Sequence, residues 1–269
     1  IADINIVNFG LLMNVGNIGT FGVNMKTLDF GDIPITTAAE PEGTGNSFSP
    51  NYMTLGATYA KSFSDRVKFG VNFKLVTEKI MNTSATGMAV DLGVQYTFAD
   101  MPLHIGVALK NLGSRMQFNG TDLEMTVDLA GVETGSIQER LRIVNESFAI
   151  PAAFDISVNY EAIPGLMLMG GFRNNSFSSN NGSFAGKYTF NDLFWVAGGY
   201  QLDLVNDSDK PDDLSDSEWK EQTENIWGLT FGAGVTVPIG DFKLGIGYSY
   251  RAVTDYFEDN NLFQLTVDF

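Results

Sequence analysis

The stretch WGLTFGAGVTVPIGDFKLGIGYSYR, Trp227 to Arg251, decides how this chain folds. Its first half places Trp227, Leu229, Phe231, Ala233, Val235 and Val237 at every second position, with Gly228, Thr230, Gly232, Gly234 and Thr236 between them. After Ile239 and Gly240 the pattern restarts, and Phe242, Leu244, Ile246, Tyr248 and Tyr250 alternate with Lys243, Gly245, Gly247, Ser249 and Arg251. A sustained period of two marks strands with one apolar and one polar face. Each half is also long, since a soluble strand typically runs about five or six residues and a tilted membrane strand about nine to eleven.

The same alternation recurs upstream. Val67, Phe69, Val71, Phe73 and Leu75 oppose Lys68, Gly70, Asn72 and Lys74, and Met88, Val90, Leu92, Val94, Tyr96 and Phe98 oppose Gly87, Ala89, Asp91, Gly93, Gln95 and Thr97. Read throughout, the pattern predicts thirteen strands near 3–13, 17–30, 48–62, 66–80, 86–98, 102–117, 148–160, 165–174, 183–190, 193–203, 225–238, 241–253 and 261–269, with no competing helical segment. Short connections (14–16, 64–65, 99–101, 161–164, 191–192, 239–240) alternate with longer, polar ones (31–47, 81–85, 119–147, 175–182, 204–224, 254–260). Short periplasmic turns and long outer loops produce that rhythm. The expectation is an all-β fold: one domain over 1–269, a transmembrane antiparallel up-and-down β-barrel in the bacterial outer membrane, with lipid as its first partner. Single-chain barrels of this kind have even strand counts. The rhythm puts Ile1 at an outer end, so a further strand is expected upstream, for about fourteen in all.

Composition narrows the alternatives. The 269 residues include 29 Gly, with 12% aromatic and 18% charged residues, and the mean hydropathy is neutral. A barrel reconciles this mixture, because apolar and polar faces average out. A helical membrane protein would need runs of about eighteen apolar residues, and none occurs. A net charge of −16 argues against a nucleic-acid partner, which requires clustered Lys and Arg. The absence of cysteine removes disulfides and thiol chemistry. The last residues, NLFQLTVDF, put Phe263, Leu265, Val267 and Phe269 on one face, a pattern resembling the signal by which the barrel assembly machinery recognises its substrates.

Several segments resemble the PorV/PorQ family of outer-membrane proteins, a branch of the FadL-type barrels. They include IADINIVNFG (Ile1 to Gly10), TFGVNMKTLDFGDIP (Thr20 to Pro34), LGATYAKSFSDRVKFGVNFKLVTEKI (Leu55 to Ile80), AVDLGVQYTF (Ala89 to Phe98), LHIGVALKNLGSRMQFNG (Leu103 to Gly120), PAAFDISVNYE (Pro151 to Glu161) and FGAGVTVPIGDFKLGIGYSYR (Phe231 to Arg251). The resemblance implies a fourteen-stranded barrel without enzymatic activity, and specifies fold better than chemistry. From it follow two functions, the first favoured and the second its alternative. PorV-like proteins serve type IX secretion, handling cargo proteins at the cell surface beside a secretion channel; FadL-type relatives carry hydrophobic small molecules across the outer membrane.

The polar faces carry the candidate residues. His104, the single histidine, shares its face with Gly106, Ala108 and Lys110, and hairpin register puts it opposite Gln95 with no serine beside it, so a polar role in the lumen wall outweighs that of a general base. Asp91 and Lys110 are expected to pair diagonally across their hairpin. Lys26, Lys68, Lys74, Arg173 and Arg251 are candidates for the same lumen network. The acidic stretch, with Asp203, Asp207, Asp209, Asp212, Asp213, Asp216, Glu218, Glu221 and Glu224, reads as a solvated loop; its spacing fails the calcium-loop pattern at Pro211. No nucleotide-binding or metalloprotease motif occurs, and no catalytic residue, metal or cofactor is expected. Trp195, Trp227, Tyr200, Tyr248, Tyr250, Phe242 and Phe98 lie near predicted strand ends or on the outward face, where interfacial aromatic girdles occur; a soluble core would use the same residues.

Overall fold

A computed structural model describes residues 4–127, 139–205, 210–211, 213–254 and 258–269. Thirteen long strands form an antiparallel meander in which each is hydrogen-bonded to the next in the chain. They are β1 (Asn5–Asn14), β2 (Thr20–Asp29), β3 (Asn51–Ser62), β4 (Val67–Ile80), β5 (Thr83–Thr97), β6 (Leu103–Gly113), β7 (Ala153–Ile163), β8 (Leu166–Asn175), β9 (Asn180–Phe190), β10 (Phe194–Leu204), β11 (Trp227–Ile239), β12 (Phe242–Val253) and β13 (Asn260–Asp268). Ile1 lies outside the described residues. The chain divides into two compact units: the first holds 1–61, 70–92 and 111–151, the second 62–69, 93–110 and 152–269.

Burial is inverted relative to a soluble protein. Along β5 the large residues Met88, Leu92, Val94 and Tyr96 are exposed, whereas Ala85, Gly87 and Ala89 opposite them are buried. Phe231 and Leu229 of β11, and Phe184, Phe194 and Val196 of β9 and β10, are likewise exposed. Water would oppose such a surface by about 1.5–3 kcal/mol for each large side chain left uncovered. Acyl chains remove that cost. Among the described residues no helix is long and apolar enough to cross a membrane.

Two-residue turns connect several strands. Between β9 and β10 the connection is three residues long: Asn191 and Asp192 both adopt positive φ (52° and 56°) in a turn closed by the Leu193 N–H donating to the Phe190 carbonyl at 3.0 Å. Met81 (φ 51°) and Asn82 connect β4 to β5, so the longer loop expected at 81–85 is mostly strand. The loop expected at 175–182 also shortens, because β9 begins at Asn180. The strand expected at 102–117 ends at Gly113. Asn111 takes φ 58°, a left-handed conformation that Asn tolerates, and β6 has left its β7 partner beyond the pair Lys110 and Ala153.

Among the described residues one α-helix occurs where none was expected: α1 (Asp216–Gln222), within the acidic stretch. The Ser215 hydroxyl accepts from the Glu218 N–H at 3.3 Å while the Glu218 carboxylate accepts from the Ser215 N–H at 2.9 Å, a complete capping box. The Ser215 hydroxyl also donates to the Glu218 carboxylate at 2.6 Å, and this bond together with that from the Ser215 N–H holds the Glu218 carboxyl below its usual range; Lys210 does the same for Asp216. Asp207, Asp209 and Asp212 lie outside the described residues.

Candidate functional site

The polar face of the sheet carries the features that could act on a molecule in passage, and in the first unit it holds a side-chain chain running across five strands. Asn24 of β2 donates through Nδ2 to Thr58 Oγ1 and to Asn72 Oδ1, both at 3.2 Å. Asn72 of β4 donates in turn to Asp91 Oδ2 at 3.3 Å. Asp91 of β5 is the hub: its Oδ1 binds Lys74 Nζ at 2.6 Å and accepts from the Asn111 N–H at 2.8 Å. Lys74 also donates to Asn111 Oδ1, and Asn111 Nδ2 donates to the Pro151 carbonyl at 2.6 Å. The left-handed turn at Asn111 thus presents both its backbone and its side chain to the ion pair.

Beside this network lies the small buried core of the described residues. Val76, Ala85, Ala89, Met116 and Ile150 are buried, with Tyr52, Phe118 and Phe148 packed against them. The chain that leaves β6 turns over the small-residue face of β5. Arg115–Met116 pairs there with Phe148–Ala149, and a Cβ on Gly87 would stand 2.6 Å from Met116 Cγ. The result is an apolar pad where period-two reading expected only more of strands 102–117 and 148–160. Phe118 and Phe148 stack at 5.6 Å between ring centroids, and Arg115 Nε donates to Ser147 Oγ at 2.8 Å.

In the second unit Asp155 of β7 is the acidic centre. Arg173 Nε reaches Asp155 Oδ1 at 2.6 Å and its Nη2 reaches Oδ2 at 3.0 Å, a two-pronged contact across paired strands. Lys110 Nζ lies 2.7 Å from Asp155 Oδ2. The pairing expected between Asp91 and Lys110 is therefore corrected, since each has a different counterion: Lys74 for Asp91 and Asp155 for Lys110. His104 Nδ1 shares a hydrogen bond with Thr97 Oγ1 at 2.9 Å and faces Asn159 in the register of β6 with β7.

Arg251 belongs to a third cluster. Its Nη2 donates to Gln201 Oε1 at 3.0 Å, and its guanidinium lies 4.0 Å from the Trp227 ring centroid. The sequence put Trp227 with the outward residues of β11, and the structure corrects this. The register with β12 shifts between Trp227 and Thr230, which face Val253 and Arg251, so one extra residue reverses the parity. Trp195 also departs from the expected girdle. Its indole lies against the polar face, where a Cβ at Gly234, Gly247 or Gly232 would come within 2.4, 3.1 or 3.2 Å of it. Lys187 Nζ stands 5.2 Å from the Trp195 ring centroid. Between these groups opens a pocket of about 300 Å³, lined by Trp195, Gln201, Ser183, Thr230, Ser249 and Arg251 among others. Glycines grouped on one face opposite a tryptophan are the signal from which the sequence could have disclosed this seat.

On β13, Phe263, Leu265 and Val267 form an exposed apolar stripe that continues to Phe269.

No protein-family model matches the sequence, and no curated protein matches it. Solved structures do match in fold. The deltaS2S3 mutant of the TodX monoaromatic hydrocarbon channel is similar over 97% of this chain and 81% of its own, with a TM-score of 0.54 at 10% identity. The toluene transporter TodX of P. putida is similar over 90% of this chain and 75% of its own, with a TM-score of 0.53 at 10% identity. A Pseudomonas aeruginosa FadL homologue is similar over 97% of this chain and 75% of its own, with a TM-score of 0.50 at 12% identity. The chain has the fold of a FadL-type transmembrane β-barrel.

Proposed function

We propose that this protein is a non-enzymatic channel of the bacterial outer membrane that admits small hydrophobic molecules. The observation that carries the reading is the likeness of fold to the toluene transporter TodX, seen both in that protein and in its deltaS2S3 mutant. Two features of the polar face support it. The apolar pad around Met116 and the pocket beside Trp195 give hydrophobic solutes places to rest on a face otherwise polar. The charged clusters around Asp91 and Asp155 brace the strands they join. The exposed stripe Phe263, Leu265, Val267 and Phe269 is proposed to guide the chain through the barrel assembly machinery. Protein handling in type IX secretion, the other function implied by resemblance, draws no support from these likenesses in fold.

Uptake of radiolabelled toluene by cells expressing the protein in their outer membrane tests the reading. Faster entry than in matched cells lacking it is the expected result. Equal entry, with the folded barrel present as judged by its heat-modifiable gel mobility, would overturn the channel reading.

A further inference from the structure

We propose that the pocket between Trp195 and Arg251 binds a planar aromatic carboxylate, its ring against the indole and its carboxylate on the guanidinium. This names a substrate class and rests on the channel reading only for its place on a route; the binding itself is a property of the second unit alone.

The cation comes first. Arg251 has five N–H donors and can never be neutral. Its partners are Gln201 Oε1, a neutral acceptor, and the face of Trp227, while its Nε is buried without a hydrogen-bond partner. By contrast, Arg173 on the same kind of face satisfies both prongs of its fork with Asp155. Stacking on Trp227 fixes the plane of the Arg251 guanidinium, and a fixed planar fork whose one hydrogen bond is from Nη2 to a neutral amide suits a carboxylate. Asp203 follows Gln201 by two residues along β10, on the same face of the strand. Lys187, whose Nζ stands 5.2 Å from the Trp195 ring centroid, adds a second positive charge near the indole.

The aromatic half follows from the glycines. Gly232, Gly234 and Gly247 let the Trp195 indole lie close against the sheet instead of standing out from it, which makes a flat apolar wall. A stacked or edge-on ring is the natural complement to such a wall. The size agrees: an apolar cavity of about 150 Å³ accommodates benzene, and this pocket of about 300 Å³ leaves room for one ring with a substituent. The hydroxyls of Ser183, Thr230 and Ser249 add polar contacts at its edge.

The backbone has opened to make the space. Pairing between β10 and β11 stops at Gly199 and Thr230, although β10 continues to Leu204 and β11 begins at Trp227. In place of the missing ladder, Asn225 Nδ2 donates to the carbonyls of Gln201 at 2.7 Å and Trp227 at 2.9 Å. The parting of these strands and the bulge that turns Trp227 onto Arg251 occur at the same point.

Tryptophan fluorescence of the whole purified protein in lipid bilayers, titrated with benzoate and separately with toluene, tests the proposal. Wild type should bind benzoate saturably. Arg251→Gln should weaken benzoate at least tenfold while leaving toluene unchanged, and Asp203→Asn should tighten benzoate by removing the competing negative charge. Absence of saturable benzoate binding, equal losses for benzoate and toluene in Arg251→Gln, or no gain in Asp203→Asn would overturn it. Should Arg251→Gln fail to fold, the Asp203→Asn result decides. Toluene uptake without benzoate binding would sink this inference and spare the channel; benzoate binding without any uptake would do the reverse.

Discussion

Replacing Asp91 by alanine should destabilise the barrel by about 3 kcal/mol, and the same change at Asp155 by about 1 kcal/mol or less. The two acids look alike in sequence, each facing basic residues on the polar side of a strand. What separates them is how far their partners can turn to water. Lys74 retains only 12% side-chain exposure, so losing Asp91 leaves a nearly buried ammonium without its counterion. The same loss strips the Asn111 N–H of its acceptor and Asn72 of its link to the network. Breaking a buried pair typically costs about 3–5 kcal/mol, and an orphaned donor about 1–3 kcal/mol; Asp91 itself, at 22% exposure, argues for the lower end. Lys110 and Arg173 keep 41% and 44% exposure and can rehydrate when Asp155 is removed. Reversible denaturant unfolding in lipid bilayers, followed by tryptophan emission, would measure both. At 3 kcal/mol the folded-to-unfolded ratio falls roughly a hundredfold. A double replacement, Lys74→Met with Asp91→Leu, should recover much of the loss, because an apolar pair leaves no stranded charge. Equal costs at Asp91 and Asp155, or no recovery in the double variant, would refute the reasoning.

Three further outcomes follow from the same contacts. Met116→Ala should cost about 2–4 kcal/mol in the same unfolding assay, because Met116 is 1% exposed and fills the space left by Gly87; a cost below about 1 kcal/mol would mean the pad collapses freely. Gly56→Ala should cost about 1 kcal/mol, since the new Cβ would stand 2.4 Å from Asn24 Oδ1 and push that side chain off Thr58 and Asn72; the loss should vanish in an Asn24→Ala background. Asp122 accepts from both the backbone and the side chain of Asn82, which holds its carboxyl below the usual range. Its contribution is therefore present above about pH 4 and lost as the pH falls through the lowered value. Hydrogen exchange at the Asn82 amide should accelerate in that acid window in wild type but show no such step in Asp122→Asn.

Alternation gave the thirteen strands because each must present one apolar face to acyl chains, and that demand is written into every second residue from Val67 to Leu75 and from Phe231 to Val237. The capping box Ser215–Glu218 was equally visible as Ser-x-x-Glu, yet its surroundings are so acidic that the segment read as solvated loop. Period two cannot register a backbone that breaks the period. A single extra residue before Thr230 reverses Trp227, and a left-handed Asn111 ends β6 early, turning the following residues onto the polar face of β5.

The ion pairs failed for a different reason. A residue inside a meander has neighbours on two sides, and which diagonal partner lies within reach depends on the stagger of the strands rather than on their order. Asp91 had Lys110 as one candidate and Lys74 as another, and Lys110 could equally look towards Asp155. Asn111 supplies what alternation lacked. Its amide and side chain converge on Asp91 and Lys74 together, so the pair that forms is the one whose remaining hydrogen-bonding needs the bulged backbone satisfies. Arg251 makes the complementary case: where a bulge brings an aromatic face instead of an acceptor, the cation keeps a donor free, and a ligand has something to bind. In this barrel, departures from strand regularity, more than the regular strands, decide where chemistry concentrates on the polar face.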